Sequence, residues 1–464
     1  MQSPLHLSLA LLVLLSPSAA SAASKAFVFG TDFSTGSLSS VVTATSIPSC
    51  DVASPHSDAR LRFFGGQIYV INRFGADNIQ IVSPSTHATV RQFSVGNGAN
   101  PYDIAVLSPT KAYVTRYERR ELWIVNPSTG LKTGEIDLGA FADADGTPEM
   151  DRIAVVGPLA FVSLQRLDRN GGFVPTDSSL VAVIDTRTDQ LVDCDSIAPG
   201  VQAIHLPRTN PVTDFAFDRT TSRLLLGCAG FFGAFDAGIV AIDAAGLTST
   251  QVLATDAALG GDCNDLVWIS PTQAYVIIST PSFVTKLVRW NPSSGAVGPT
   301  LFDPAAFALS DVEYDGAGQL WLCDSRFVGG AVRRFSTVTD LAIGPPIVCT
   351  LPPQGIVFDQ ASGPIAGVPL GGSALALSAP WPLPARGSVR MALTLAEPGE
   401  ASLEVFDAFG RRVRVLAEGA LPAGVRDVVW DLLDSRGATV AAGVYLIRAR
   451  TGAGEARQRV VVSR

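Results

Sequence analysis

The sequence predicts an all-β chain: a β-propeller of about seven blades, then a small immunoglobulin-like β-sandwich. Three observations carry this reading. A three-strand pattern returns roughly every 45 residues, the two ends of the repeating region complete one another, and the texture changes beyond about residue 360.

The repeat is plainest in Asp103-Ile104-Ala105-Val106, Lys111-Ala112-Tyr113-Val114 and Leu122-Trp123-Ile124-Val125-Asn126-Pro127-Ser128-Thr129-Gly130. These read as short strands with period-two alternation, separated by turns. Asp265 to Trp268, Gln273 to Val276 and Leu287 to Gly295 repeat it, and a third copy runs from Asp58 through Ile68-Tyr69-Val70 to Thr86. Weaker copies begin at Asp151, Asp214 and Asp311. The Asn-Pro-Ser-Thr-Gly turn joins a third to a fourth strand: Asn bonds the following backbone, Pro fixes φ, and Gly accepts a positive φ. Lys25 to Phe29 and the strand after it lack a partner that Gln354-Gly355-Ile356-Val357-Phe358 supplies. Joined, they make a seventh blade and remove the exposed sheet edges.

The 464 residues carry a net charge of -8 with 47% hydrophobic residues, enough for two folded units and too acidic to neutralise a nucleic-acid backbone. The apolar run Leu7 to Leu15, followed by Ala20-Ser21-Ala22, reads as a cleavable secretory leader over 1–22, too short to span a bilayer. Export places the protein at the cell surface or outside the cell, with the periplasm as the second location. Cys50, Cys194, Cys228, Cys263, Cys323 and Cys349 form no C-x-x-C pair. They read as disulfides, Cys228 with Cys263 being the pair that repeat geometry favours, or as buried thiols.

Through Asn100-Pro101-Tyr102-Asp103-Ile104-Ala105 and Ala112-Tyr113-Val114, residues from about 25 to 360 resemble the seven-bladed YVTN-type propellers. The resemblance implies an exported, often surface-associated propeller. The propeller is expected over 23–360, a Gly/Pro/Ala-rich linker over 361–377, and the last unit over 378–464. That unit has alternating strands around Val389, Ala401 to Asp407, Val428 to Asp431 and Gly443 to Ile447. With Gly424, Trp430, Asp431, Asp434, Gly437 and Gly443-Val444-Tyr445, it resembles the immunoglobulin-like module of flagellar hook-capping proteins and type IX secretion sorting domains. The resemblance implies a role in sorting or attachment, through secretion machinery or the cell envelope.

Strand counting puts Asp58, Asp103, Asp151, Asp214, Asp265 and Asp311 in a ring at the channel mouth, where all but Asp58 are candidate ligands for calcium. The same aspartates could instead satisfy backbone N–H groups between blades. Arg73, Arg116, Arg166 and Arg326 follow the second strands onto the same face, either paired with those acids or clamping a ligand anion. Insertions Asp168 to Asp177, Gly200 to Asn210 and Ala229 to Ala237 fall there too, marking the binding side. The acidic stretch Phe141 to Glu149 departs from an EF-hand at its first and last ligand positions and reads as a solvated loop. His56, His87 and His205 occupy no repeated position, and no G-x-S-x-G elbow occurs. The reading is therefore an exported binding or surface protein whose ligand is a small molecule, glycan or protein. The alternatives are a calcium-dependent propeller hydrolase or lyase and a structural component of a surface layer.

Overall fold

The computed structural model describes residues 24–359, apart from 177, 196, 219 and 220, and then 375–377, 380, 384–395, 399–421, 424–452 and 454–463. The expected leader over 1–22 and nearly all of the expected linker lie outside the described residues.

Burial explains why the repeat is written as it is. The second strand of the best-defined repeat, Lys111–Arg116, buries everything but its first residue, because neighbouring sheets cover both of its faces. The outer strand, Leu131–Asp137, buries only Ile136 and is correspondingly polar. Between third and fourth strands the Asn126 side chain accepts from Ser128 N at 3.0 Å, and Gly130, at φ +76°, donates to the Asn126 carbonyl at 2.7 Å. Asn291, Ser293 and Gly295 repeat the arrangement.

Six sheets follow in chain order. Their first strands are Ala59–Phe64 (blade 1), Pro101–Ser108 (blade 2), Met150–Val156 (blade 3), Ala216–Asp218 (blade 4), Asp262–Ser270 (blade 5) and Leu309–Tyr314 (blade 6). Blade 6 has three full strands, and bridges from Val332 to Ile347 and Phe335 to Ala342 stand in for its fourth. The seventh sheet takes Pro353–Phe358 as its inner strand and Lys25–Thr31, Gly36–Val42 and Ile47–Ala53 as the other three. Ala26 pairs with Phe358, Val28 with Ile356 and Phe29 with Gly355, and Asp359 N donates to the Lys25 carbonyl at 3.0 Å.

Apolar packing shows that the ring is closed. Each neighbouring pair of blades shares one buried cluster: Ile71 with Val114, Tyr113 with Val162, Phe161 with Leu226, Leu225 with Val276, Tyr275 with Leu322, Trp321 with Phe358, and Phe27 with Val70. The last two flank the composite blade, so the sheet shared by both ends of the region packs on both of its neighbours.

Register corrects the expected aspartate ring. In blades 2, 5 and 6 an extra residue bulges from the inner strand just before Asp103, Asp265 and Asp311, which pair with Thr115, Ile277 and Cys323. Blade 1 has no bulge, so the residue at that level is Arg60, opposite Ile71, and not Asp58. In blade 3 the level is held by Arg152, whose N–H bonds the Ser163 hydroxyl as Asp103 N bonds Thr115, and not by Asp151. Gly355, opposite Phe29, completes the circle.

The expected Cys228–Cys263 disulfide is not made, and all six cysteines are free thiols. Both residues are buried, one in each of two adjoining blades, and burial pushes both thiols up.

Beyond residue 374, Leu375–Leu377, Val389–Leu395 and Gly424–Trp430 form one sheet, and Arg412–Leu421, Gly399–Asp407, Gly443–Thr451 and Gly454–Val462 form another. Leu393, Leu403, Trp430 and Ile447 lie in the core they share. Trp430 meets Tyr445 edge-on at 5.2 Å and donates its indole N–H to the Leu433 carbonyl at 2.9 Å. Asp434 caps a turn by accepting from Arg436 N and Ala438 N, with Gly437 at φ +81°.

Phe27 is fully buried at the composite blade and stacks on Phe63 at 6.2 Å. Phe27→Ala is expected to cost about 3–5 kcal/mol of propeller stability in denaturant titration. Val338→Ala, at a side chain 83% exposed, should change it by less than about 0.5 kcal/mol.

Candidate functional site

The ring positions of blades 1, 2, 3, 5, 6 and 7 hold three acids, two arginines and one glycine, and the three acids join blades. Asp103 accepts from Ile153 N at 3.1 Å, Asp265 from Val312 N at 2.8 Å and Asp311 from Ile356 N at 2.7 Å. In each case the donor is the residue after the ring position of the next blade. The inter-blade reading of these aspartates therefore describes their geometry. Among the described residues no group of three or more His, Cys, Asp or Glu side chains is arranged to hold a metal ion.

Arginines occupy the oxygens on one side of the channel. Arg62, two residues beyond Arg60 and on the same strand face, reaches Asp103 at 2.7 Å and crosses to Asp214 at 2.6 Å. Arg152 bridges Asp151 at 2.5 Å and Asp214 at 2.7 Å. Burial alone would raise the Asp214 carboxyl, but Arg62 and Arg152 hold it well below the usual carboxylate range.

On the other side, Asp265, Asp311 and Glu313 form no ion pair with any described residue. Burial, then repulsion from Asp214, pushes Asp265 up to about 6. Burial and the neighbouring carboxylates push Asp311 and Glu313 well above their ordinary values. Glu313 accepts no hydrogen bond from a described residue, and Arg60 donates none; its nearest carboxylate oxygen, on Asp214, is 3.8 Å away. Burial and repulsion from Arg152 and Arg73 pull Arg60 down to about 10.

Both unmatched groups face one cavity of about 290 Å³, which Arg62, Asp214, Asp311, Gly355, Phe33 and Arg73 also line. It opens where the ring carries glycine: a Cβ built on Gly355 meets no atom within 4 Å. Arg60 and Asp311 stand on the strands to either side.

The four arginines expected here reach the same end of their blades, and each has a protein partner. Arg73 lines the cavity, pairs with Asp58 at 2.5 Å and lies over the Tyr102 ring at 4.5 Å. Arg116 packs on Trp123 and bonds the Val95 carbonyl, Arg166 bonds the Ser178 carbonyl at 2.6 Å, and Arg326 pairs with Asp324 at 2.6 Å. The Phe141 to Glu149 stretch is held inward instead of being solvated: Glu149 bonds Arg169 Nε at 2.7 Å and Leu167 N at 3.1 Å, and Asp145 accepts from Arg169 N.

Strand direction alternates identically in every blade, so the loops between second and third strands all leave on the cavity's face. They carry exposed phenylalanines in six blades: Phe33 (70% exposed), Phe74, Phe173, Phe231, Phe283 and Phe327 (68%). Phe33 and Phe327 touch, with ring centroids 6.1 Å apart. The expected insertion at Ala229 to Ala237 supplies three of the exposed rings, Phe231, Phe232 and Phe235.

Residues 383–455 match the family model described as the FlgD Ig-like domain. No curated protein matches the chain. Among solved structures it is similar to the dihydro-heme d1 dehydrogenase NirN in complex with DHE, at 14% identity over 75% of this chain and 78% of that one, with a TM-score of 0.47. It is also similar to a functionally unknown protein from Desulfotomaculum acetoxidans, at 12% identity over 73% and 99% of the two chains, with a TM-score of 0.47. A third is PorZ, a surface component of the type-IX secretion system of Porphyromonas gingivalis, at 14% identity over 93% and 64% of the two chains, with a TM-score of 0.33.

Carboxyls raised in the fold bind protons that the unfolded chain releases near pH ~4, so they destabilise the protein as pH rises from there through 6 and beyond. Glu313→Gln should raise the Tm at pH 8 and leave it nearly unchanged at pH 5. Parallel pH curves for the variant and the parent would remove Glu313 from the cluster.

Proposed function

We propose that the protein is an exported binding protein of the cell envelope that holds a small ligand at the channel mouth and uses its C-terminal sandwich for sorting or attachment. The observation that carries this reading is the cavity over Gly355, where a guanidinium and a carboxyl face open space without a hydrogen-bonding partner from the protein. Small-molecule pockets carry a few polar groups that converge on the space they enclose, so a charged pair left open in a cavity has the character of a site awaiting a ligand. The exposed phenylalanines on the same face add apolar contact area at its rim. The leader-like N-terminus supports export, and the match of residues 383–455 to the FlgD Ig-like domain supports a separate attachment module. Among the described residues no helix is long and apolar enough to cross a membrane.

A thermal-shift screen of metabolites and oligosaccharides should find ligands that raise the Tm of the parent and not of Gly355→Leu, whose side chain fills the cavity. A screen without such a compound would contradict the reading. For the second module, a chain ending at residue 360 should fold and be exported yet leave the envelope fraction. An unfolded product would show that the sandwich is part of the propeller's own stability.

A further inference from the structure

Resting on that reading, we infer that the cavity takes a small zwitterion with an apolar side chain, the chemistry of an apolar amino acid or short apolar peptide. The charge layout selects the class. On one wall Arg60 has no hydrogen bond, and the Asp214 carboxylate nearest to it is already held by Arg62 and Arg152. An incoming carboxylate suits this forked donor. On the other wall Asp311 and Glu313 form no ion pair, and an ammonium group would offset the repulsion that neighbouring carboxylates add to burial in raising both groups. A lone anion would leave the acid wall without a counter-charge, and a lone cation would leave the Arg60 guanidinium without a hydrogen-bond acceptor.

Space and rim narrow the choice further. A volume of about 290 Å³ sits at the small end of the ~300–1,000 Å³ of small-molecule pockets. Gly355 lets a ligand lie directly against the inner strand of blade 7 between the two charged walls. At the rim, Phe33 lines the cavity and touches Phe327, giving an apolar side chain a surface to cover.

The test is calorimetric titration with L-leucine and leucyl-leucine against three matched probes: 4-methylpentanoate without the ammonium, 3-methylbutylamine without the carboxylate, and glycine without the side chain. Leucine or its dipeptide should bind at least about tenfold more tightly than each probe. Arg60→Gln and Glu313→Gln should each weaken binding at least about tenfold, and Gly355→Leu should abolish it with an unchanged circular dichroism spectrum. Equal binding of a singly charged probe overturns the zwitterion assignment. If no zwitterion binds while another compound shifts the Tm of the parent and not of Gly355→Leu, the ligand class is wrong and the site stands. If nothing binds, both fail.

A separate observation carries a second inference: we propose that Cys50 and Cys349 form a disulfide across the closing blade when a disulfide oxidant is present. Cys50 lies on the outer strand Ile47–Ala53 with its Sγ 3.9 Å from the Val348 carbonyl, and its thiol and that of Cys349 hydrogen-bond each other. The Thr350 hydroxyl donates to Asp51 at 2.6 Å and holds the two segments together. With oxidised glutathione, one thiolate attacks the glutathione disulfide and the second displaces the remaining glutathione, so a protein S–S bond forms and two reduced glutathiones leave. Non-reducing peptide mapping after this treatment should show the Cys50 and Cys349 peptides joined, with a Tm rise that dithiothreitol reverses and Cys50→Ser lacks. Glutathione left on Cys50 without the cross-link would refute the pairing.

Discussion

The pairing of Lys25–Thr31 with Pro353–Phe358 is the contact on which the rest of the propeller depends. Without it the chain would be a curved row of sheets with bare edges at both ends. With it, the clusters around Trp321 with Phe358 and Phe27 with Val70 become interior cores, and every sheet has two neighbours. The same pairing puts Gly355 level with the charged residues of the other blades, so closure and cavity are two results of one register.

Inside the ring, one residue type serves two ends. Asp103, Asp265 and Asp311 each accept a hydrogen bond from a backbone N–H of the next blade, which fixes the spacing of the inner strands without supplying a counter-charge. Their remaining charge must then be balanced. Arg62 balances it for Asp103, whereas Asp265 and Asp311 have no arginine. The outcome is a channel polarised from arginine-rich to acid-rich, with its unmatched ends meeting at the glycine. Stability would favour a cation beside Glu313, so the polarity is a cost that a ligand could offset.

Much of this was legible in the sequence because it is local or periodic. The Asn126 and Asn291 turns, the buried second strands and the complementary ends could be read from single segments, and the sandwich from Trp430, Asp434 and Gly437. The ring could not be read by counting from each repeated aspartate, because a one-residue bulge precedes the ring in blades 2, 3, 5 and 6 and is missing in blade 1, and the aspartate follows the bulge in blades 2, 5 and 6 but lies within it in blade 3. That slip hid Arg60 behind Asp58 and Arg152 behind Asp151. Two signals were available: Arg60 with Arg62, and Asp311 with Glu313, are charged pairs at period two in inner strands, where apolar residues are the rule. The cysteines were less readable still, because partners such as Cys50 and Cys349 meet only after the ring has closed.

Amide hydrogen exchange of the two seam strands tests the central claim most directly. If the ring is closed by them, 25–31 and 353–358 should exchange together, at the rate of the inner strands of blades 2 and 5. Early exchange of either segment while those blades stay protected would show that the circle is open and that the cavity over Gly355 has no fixed wall.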